Sequence, residues 1–249
     1  MTARTAPRTP SVAYPESDGR PVGESGRHAY AYRDLIPTLE HRLRDRDDVY
    51  VGGNQFLYWV EGDPTQVVCP DVFVVVGRPR RPLRDTWRVW DEGGVVPTFV
   101  LELTSASTRI MDQGAKRGLY AALGVREYAM FDPRGEYLVP RLRLWRLADG
   151  DWVEVVSASF GAWSEVIGAF LVPDPADEPV VRLREADGTW VPRLVVQAAR
   201  AEQALADAER AHTDAERARA EALQARAEAL QARAEADALR AELEHLRRS

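Results

Sequence analysis

The chain has 249 residues, 45% of them apolar, with 33 Lys and Arg against 39 Asp and Glu and a formal net charge of -6. That length holds one large domain or one domain with an extension, and the acidic balance excludes a protein that coats nucleic acid through bulk positive charge, although not one with a localised basic rim. The one cysteine, Cys69, excludes an intrachain disulfide and a multi-cysteine zinc site. No apolar run reaches the roughly 18 residues of a membrane span, and no secretory signal opens the chain, so a soluble, cytoplasmic protein is expected. Of the four histidines, His28, His41, His212 and His245, the last two lie in a stretch that reads as a long surface helix. Histidine-based metal or triad chemistry is not expected.

Residues 1–27 are rich in Pro, Thr, Ser, Gly and Arg without an apolar period, and read as a flexible arm. A helix is predicted over 28–45, where Leu35, Leu39 and Leu43 recur at i, i+4 and i+8. "VYVGGNQFLYWV", 49–60, reads as an extended pair or a strand bent at Gly52 and Gly53. The apolar runs at 71–76, 98–103 and 127–132 read as buried strands. Between the last two a helix is predicted, with Thr108 as N-cap, Met111, Ala115 and Leu119 on its apolar face, and Gly124 as its C-cap glycine. Strands are expected at 141–147 and 152–156, then a hairpin turning at Asp187-Gly188. The pattern predicts an α/β domain over 28–192, a mixed sheet flanked by helices.

From 193 to the end, Ala, Glu, Arg, Leu and Gln dominate, and a long helix is predicted. The heptad "AEALQAR" occurs twice in succession, 220–226 and 227–233, which lines up Ala220, Leu223, Ala227 and Leu230 as a coiled-coil seam. Asp237 interrupts that seam, and Leu239, Leu243 and Leu246 resume it in a shifted frame. Two readings stand: a solvated single helix held by Glu and Arg pairs, and a homodimer or partner-helix contact through residues 195–249.

Two acids interrupt apolar strands, Asp71 after Pro70 and Glu102 within "FVLELTS". A carboxylate among apolar neighbours is costly unless paired, hydrogen-bonded or bound to a metal. On neighbouring strands two such acids can share one hard cation, Mg2+ or Mn2+, whose remaining positions go to water and substrate phosphate. Alternatively Asp71 caps a turn and Glu102 faces water at a sheet edge. Lys116 is the single lysine in the chain. It is either a surface partner of Asp112 at i, i+4 or a compact ammonium for a pentavalent phosphate or an attacking water, with Tyr120 continuing the same helix face. The loop 77–90 carries Arg78, Arg80, Arg81, Arg84 and Arg88 interleaved with Trp87 and Trp90. That combination suits contacts to a nucleic-acid backbone or an unpaired base, or a solvated loop with its tryptophans turned inward.

"CPDVFVVVG" followed by "PTFVLELTSASTRIMDQGAKRGLYAALGVREYAMFDP" resembles the Uma-two family of restriction endonuclease-like proteins, within the PD-(D/E)XK nuclease superfamily. The resemblance covers about residues 28–175. It implies a restriction-endonuclease-like core and a Mg2+-dependent (or Mn2+-dependent) endonuclease acting on DNA, with Asp71 and Glu102 as metal ligands and catalytic residues. The superfamily's lysine stands two residues after the glutamate, where this chain has Thr104. The family places one on the following helix, which here is Lys116, with Asp112, Gln113 and Tyr120 as possible accessories. The alternative is a catalytically silent protein of the same fold, acting as a binding or assembly module through its C-terminal coiled coil.

Overall fold

The computed structural model describes residues 12–16, 26–157, 161–176 and 178–248, by backbone alone at 237–239 and 241–248. The chain divides into two units, Met1–Val195 and Val196–Ser249. In chain order the first unit holds helix α1 (Gly26–Arg42) and strands β1 (Val49–Gly52), β2 (Leu57–Tyr58), β3 (Val67–Val68), β4 (Val72–Val76), β5 (Trp87–Arg88) and β6 (Phe99–Leu103). A helical passage follows: α2 (Arg109–Met111), a π-helical turn (Asp112–Lys116) and α3 (Arg117–Leu123). Then come β7 (Glu127–Phe131), β8 (Leu142–Ala148), β9 (Asp151–Glu154), β10 (Ala162–Ser164), β11 (Ala169–Pro173) and β12 (Val181–Arg184). Helix α4 runs over Leu194–Arg248.

Six strands form the central sheet in the order β1–β4–β6–β7–β8–β9, and only β6 and β7 are parallel. A parallel pair cannot be closed by a tight turn, and the passage α2–α3 is its crossover. The sheets β3–β2–β5 and β10–β11–β12 are separate. Because successive side chains of a strand point to opposite faces, the core is sorted in two. Val72, Val74, Phe99, Leu101 and Leu103 pack with Leu35, Leu39 and Leu43 and with β11 and β12. Phe73, Val75, Val100, Tyr128 and Met130 pack with Tyr120, Leu57 and Trp87. Asp71 has the parity of Phe73, and Glu102 that of Val100. The pairing of Val72 with Leu101 brings the two acids opposite each other on that second face.

The predicted helix is Gly26–Arg42 and keeps its leucine stripe. The stretch 49–60 is two strands, because Gly53 must pass beneath the start of β4: a Cβ there would meet the Asp71 carbonyl oxygen and the Ile36 side chain, each at 2.5 Å. The hairpin turn at Asp187-Gly188 forms, with Gly188 at φ +91, but its return limb makes only the Arg184–Trp190 bridge. Strands β3 and β5, two residues each, are too short to show a period. The arm is corrected in part: within 12–16, Tyr14 packs 5.2 Å from the Tyr58 ring and 5.0 Å from Trp90, and Tyr58 donates to the Pro15 carbonyl at 2.6 Å. Residues 1–11 and 17–25 lie outside the described residues, as do the side chains of Asp237, Leu239, Leu243 and Leu246.

The first unit is also tied by buried charges. Arg193 donates to Asp34 at 2.8 Å and to Glu178 at 2.7 Å, fastening α1. Glu127, at the start of β7, is buried and accepts from the Ser164 hydroxyl, the Glu165 amide at 2.8 Å and Arg146 at 3.2 Å, joining the central sheet to the β10–β11 connection. Removing one member of such a set strands the others, at a cost of about 3–5 kcal/mol. Glu127→Ala is therefore expected to lower unfolding stability by about 3 kcal/mol in urea titrations; a loss below about 1 kcal/mol would show that the link is dispensable.

Candidate active site

Two strands and one helix converge on the carboxyl group of Glu102, which has no exposure to solvent. Lys116 donates from Nζ to Oε2 at 2.9 Å, and the Tyr120 hydroxyl donates to Oε1 at 2.6 Å. Lys116 Nζ also stands 3.2 Å from Oδ1 of Asp112, which is buried as well. The Asp71 carboxylate is gripped on both oxygens: Oδ2 accepts the Leu103 amide at 2.7 Å, and Oδ1 lies 2.9 Å from Nε2 of His28. Gln113, one residue beyond Asp112, is exposed. It makes none of these contacts.

The helix is rotated by about one residue from the face its hydrophobic pattern predicts: Leu119 packs against the core, but the first two positions of the pattern do not. Met111 is 53% exposed and Ala115 is exposed, whereas Asp112, Lys116 and Tyr120 turn inward. A carboxyl group buried in a sheet has to be met by donors, and here the ammonium and phenol supply them. The passage widens into a π turn over Asp112–Lys116 where those groups must reach, as helices often do at functional sites. At its end Gly124 takes φ +81 and its amide closes onto Ala121, the expected C-cap. Thr108 does not cap. Its backbone is helical, and its hydroxyl accepts the Ser105 amide at 3.1 Å instead.

Burial pushes the Glu102 carboxyl up to about 8, against the downward pull of Lys116 and with Asp71 and Asp112 adding to the rise. Burial also raises Asp112, again opposed first by Lys116. For Asp71 burial acts upward, but the hydrogen bond and charge of His28 and the Leu103 amide hold the carboxyl below its ordinary range. The ammonium of Lys116 is desolvated, yet Glu102 and Asp112 raise its pKa, so it stays charged.

Three carboxyl groups thus face one ammonium, and neither oxygen of Asp112 is met by a well-formed hydrogen bond. That surplus of hard oxygen donors suits Mg2+ or Mn2+. Among the described residues no group of three or more His, Cys, Asp or Glu side chains is placed to hold a metal ion by itself.

His28 is the group that sequence reasoning missed. It belongs to no motif, and α1 brings it to Asp71 from 43 residues away. Thr104, at the superfamily's lysine position, is buried with an unpartnered hydroxyl. The arginines of the 77–90 loop are largely occupied: Arg78 and Arg84 pair with Glu92, Arg84 lies 4.9 Å over the Tyr50 ring, and Arg80 donates to the Glu40 carbonyl at 3.0 Å. Arg88 reaches Asp91 at 3.4 Å, and Arg81 is exposed. Trp87 is fully buried in the core. The loop also leaves from the end of β4 opposite Asp71, so it is built chiefly to hold itself.

Comparison with known proteins bears on this arrangement. The profile of the Uma2 family, described as "Putative restriction endonuclease", matches residues 3–166. No curated protein matches the chain. A solved structure described as that of a "putative nuclease belonging to DUF820" from Anabaena variabilis ATCC 29413 is similar at 13% identity and a TM-score of 0.39, over 62% of this chain and 75% of that one.

The buried carboxyl makes stability depend on pH. Glu102 in the folded, metal-free protein keeps a proton that the unfolded chain releases above about 4.5, so its contribution is complete below that value and is lost as pH rises through about 8. Asp112 acts in the same direction. The shift of Asp71 matters only below 3.8, and that of Lys116 only above 10.5. In EDTA, the melting temperature is expected to fall between pH 5 and pH 8.5, and to fall less in Glu102→Gln. Parallel pH profiles for the two proteins would refute the buried acid.

Proposed function

From the premise that the chain belongs to the Uma2 family of restriction-endonuclease-like proteins, we propose that it is a metal-dependent endonuclease that hydrolyses phosphodiester bonds of DNA. One observation carries the reading: Lys116, from the helix, reaches Glu102 Oε2 at 2.9 Å on the face where Asp71 stands opposite. The ammonium missing at Thr104 is thereby restored from another element. Asp71 and Glu102 would hold Mg2+ or Mn2+, which when bound supplies charge to the scissile phosphate and acidifies a water.

The chain's own residues do the rest. The Leu103 amide and His28 fix the direction of the Asp71 carboxylate, and Tyr120 fixes that of Glu102. Lys116, at 2.9 Å from Glu102, would turn toward the phosphate, where a compact ammonium holds the attacking water or offsets developing charge. Water adds to phosphorus and gives up one proton to the surrounding water, the P–O bond to the leaving oxygen breaks, and that oxygen takes up a proton from the surrounding water to become a hydroxyl. Asp112, buried beside Lys116, keeps the ammonium charged between turnovers.

A second reading, a catalytically silent member acting as an assembly module, is favoured by the engagement of both Glu102 oxygens by Lys116 and Tyr120. Either way, residues 195–249 serve as a self-association helix in this proposal. In α4 the seam leucines Leu223 and Leu230 are 69% and 62% exposed. Local pairs such as Gln224 with Glu228 at 3.0 Å and Gln231 with Glu235 at 3.1 Å brace the helix itself.

Incubation of the purified chain with single- and double-stranded DNA and RNA is expected to show DNA cleavage with Mg2+ or Mn2+ and none with EDTA. Asp71→Asn and Lys116→Arg should each lower the rate about a hundredfold or more, the scale on which a preorganised charge acts. Retained binding with no cleavage under any metal would leave the silent reading standing, and wild-type turnover in Lys116→Arg would reduce the lysine to a surface charge. For the tail, light scattering at tens of micromolar is expected to give a dimer mass for the full chain and a monomer mass for Leu223→Glu/Leu230→Glu. Equal masses would remove the seam.

A further inference from the structure

The apolar side chains that the helix turns outward are gathered beside the carboxyl groups. Ile110 is 77% exposed and Met111 53%, and the next residue, Asp112, is buried at Lys116. Arg109, immediately before them, lies 5.3 Å over the ring of Tyr137, in the loop that follows β7. That loop also presents Val139, 95% exposed. It is an ordered loop, because the buried Asp132 carboxylate accepts the amides of Arg134, Gly135, Tyr137 and Leu138. The helical passage and this loop leave the C-terminal ends of the two parallel strands, where Leu103 pairs with Phe131. In an α/β sheet that edge is where ligands are met.

A nucleic-acid strand that approaches the C-terminal ends of β6 and β7 meets the two segments that carry this rim. The outside of an intact duplex would offer it phosphates and sugars, from which Ile, Met and Val gain nothing. Unpaired bases offer flat apolar faces that stack on or are wedged by such side chains. Polar support for a backbone is adjacent: the guanidinium of Arg109, and the Ser105 and Ser107 hydroxyls 3.1 Å apart. We propose that Ile110, Met111, Tyr137 and Val139 form a base-binding rim, so that the DNA taken by this site is single-stranded next to the bond that is cut. This rests on the nuclease reading and narrows its substrate class.

The test measures binding of the full-length chain, in EDTA so that nothing is cut, to labelled single-stranded and duplex oligonucleotides of one sequence by fluorescence anisotropy. The wild type is expected to bind the single strand about tenfold or more tightly over the duplex, and Ile110→Ser/Met111→Ser and Val139→Ser to lose most of that preference. The slope of log affinity against log salt should stay the same in the variants, since no phosphate contact is removed. All the substituted side chains are exposed, and circular dichroism checks that the variants fold. Equal binding of single strand and duplex, or variants that match the wild type, overturns the rim while the nuclease reading stands on its cleavage assay. A wild type that binds neither oligonucleotide overturns the rim, and the nuclease reading is then decided by the cleavage assay alone. A fall in molecular mass of Ile110→Ser/Met111→Ser in light scattering would assign the patch to contact between copies and overturn it as a base-binding rim.

Discussion

The burial of one carboxyl group sets the terms for much of this structure. Glu102 sits in the middle of a sheet with apolar neighbours on both sides, and its two oxygens must be met from within the protein because water does not reach them. Lys116 and Tyr120 meet them. Both come from the crossover that joins the one parallel pair of the described central sheet, so the polar requirement of a single side chain bears on how that crossover lies on the sheet.

The consequences spread outward. With Asp112, Lys116 and Tyr120 committed inward, the helix cannot also bury Met111 and Ala115, and Ile110, Met111 and Ala115 are left facing solvent while Leu119 and Leu123 still pack against the core. The π turn lets the chain supply an ammonium from the same face that carries Asp112. Asp71 depends on the same region: the strand that carries Glu102 gives it the Leu103 amide, and Gly53 leaves the space in which β4 can begin. A set of groups that repel one another is thereby held close, with Lys116 as the charge that makes the arrangement tolerable.

Much of this was legible in the residues. The apolar runs and glycine punctuation located α1, the strands β4, β6, β7 and β8 and the end of the crossover at Gly124, because each depends on a local period or a local backbone preference. An acid inside an apolar run demands a partner, so Asp71 and Glu102 were marked in the sequence, but that their strands are neighbours came only from the structure. What misled was the helix. Its apolar positions have a regular spacing, and spacing alone carries no knowledge of the charge awaiting it across the sheet. The short strands β3 and β5 were illegible for the plainer reason that two residues hold no pattern. The arginine loop was legible in composition but not in use, because Glu92 and the Glu40 carbonyl, which claim its guanidinium groups, are not marked as partners by any motif.

By itself the sequence determined the membership of the chain in its family, the α/β alternation and the long C-terminal helix, and it singled out Asp71, Glu102 and Lys116, to which the proposal assigns the chemistry. Those properties live in composition, period and motif, which are local. Only the tertiary structure decided that His28 stands on Asp71, that Tyr120 shares Glu102 with the lysine, that Asp112 lies buried without a well-formed hydrogen bond, and that Ile110 and Met111 face outward beside them. Each of these depends on which residues distant in the chain become neighbours, and on a desolvation that exists only once the sheet, α1 and the crossover have closed around the acids.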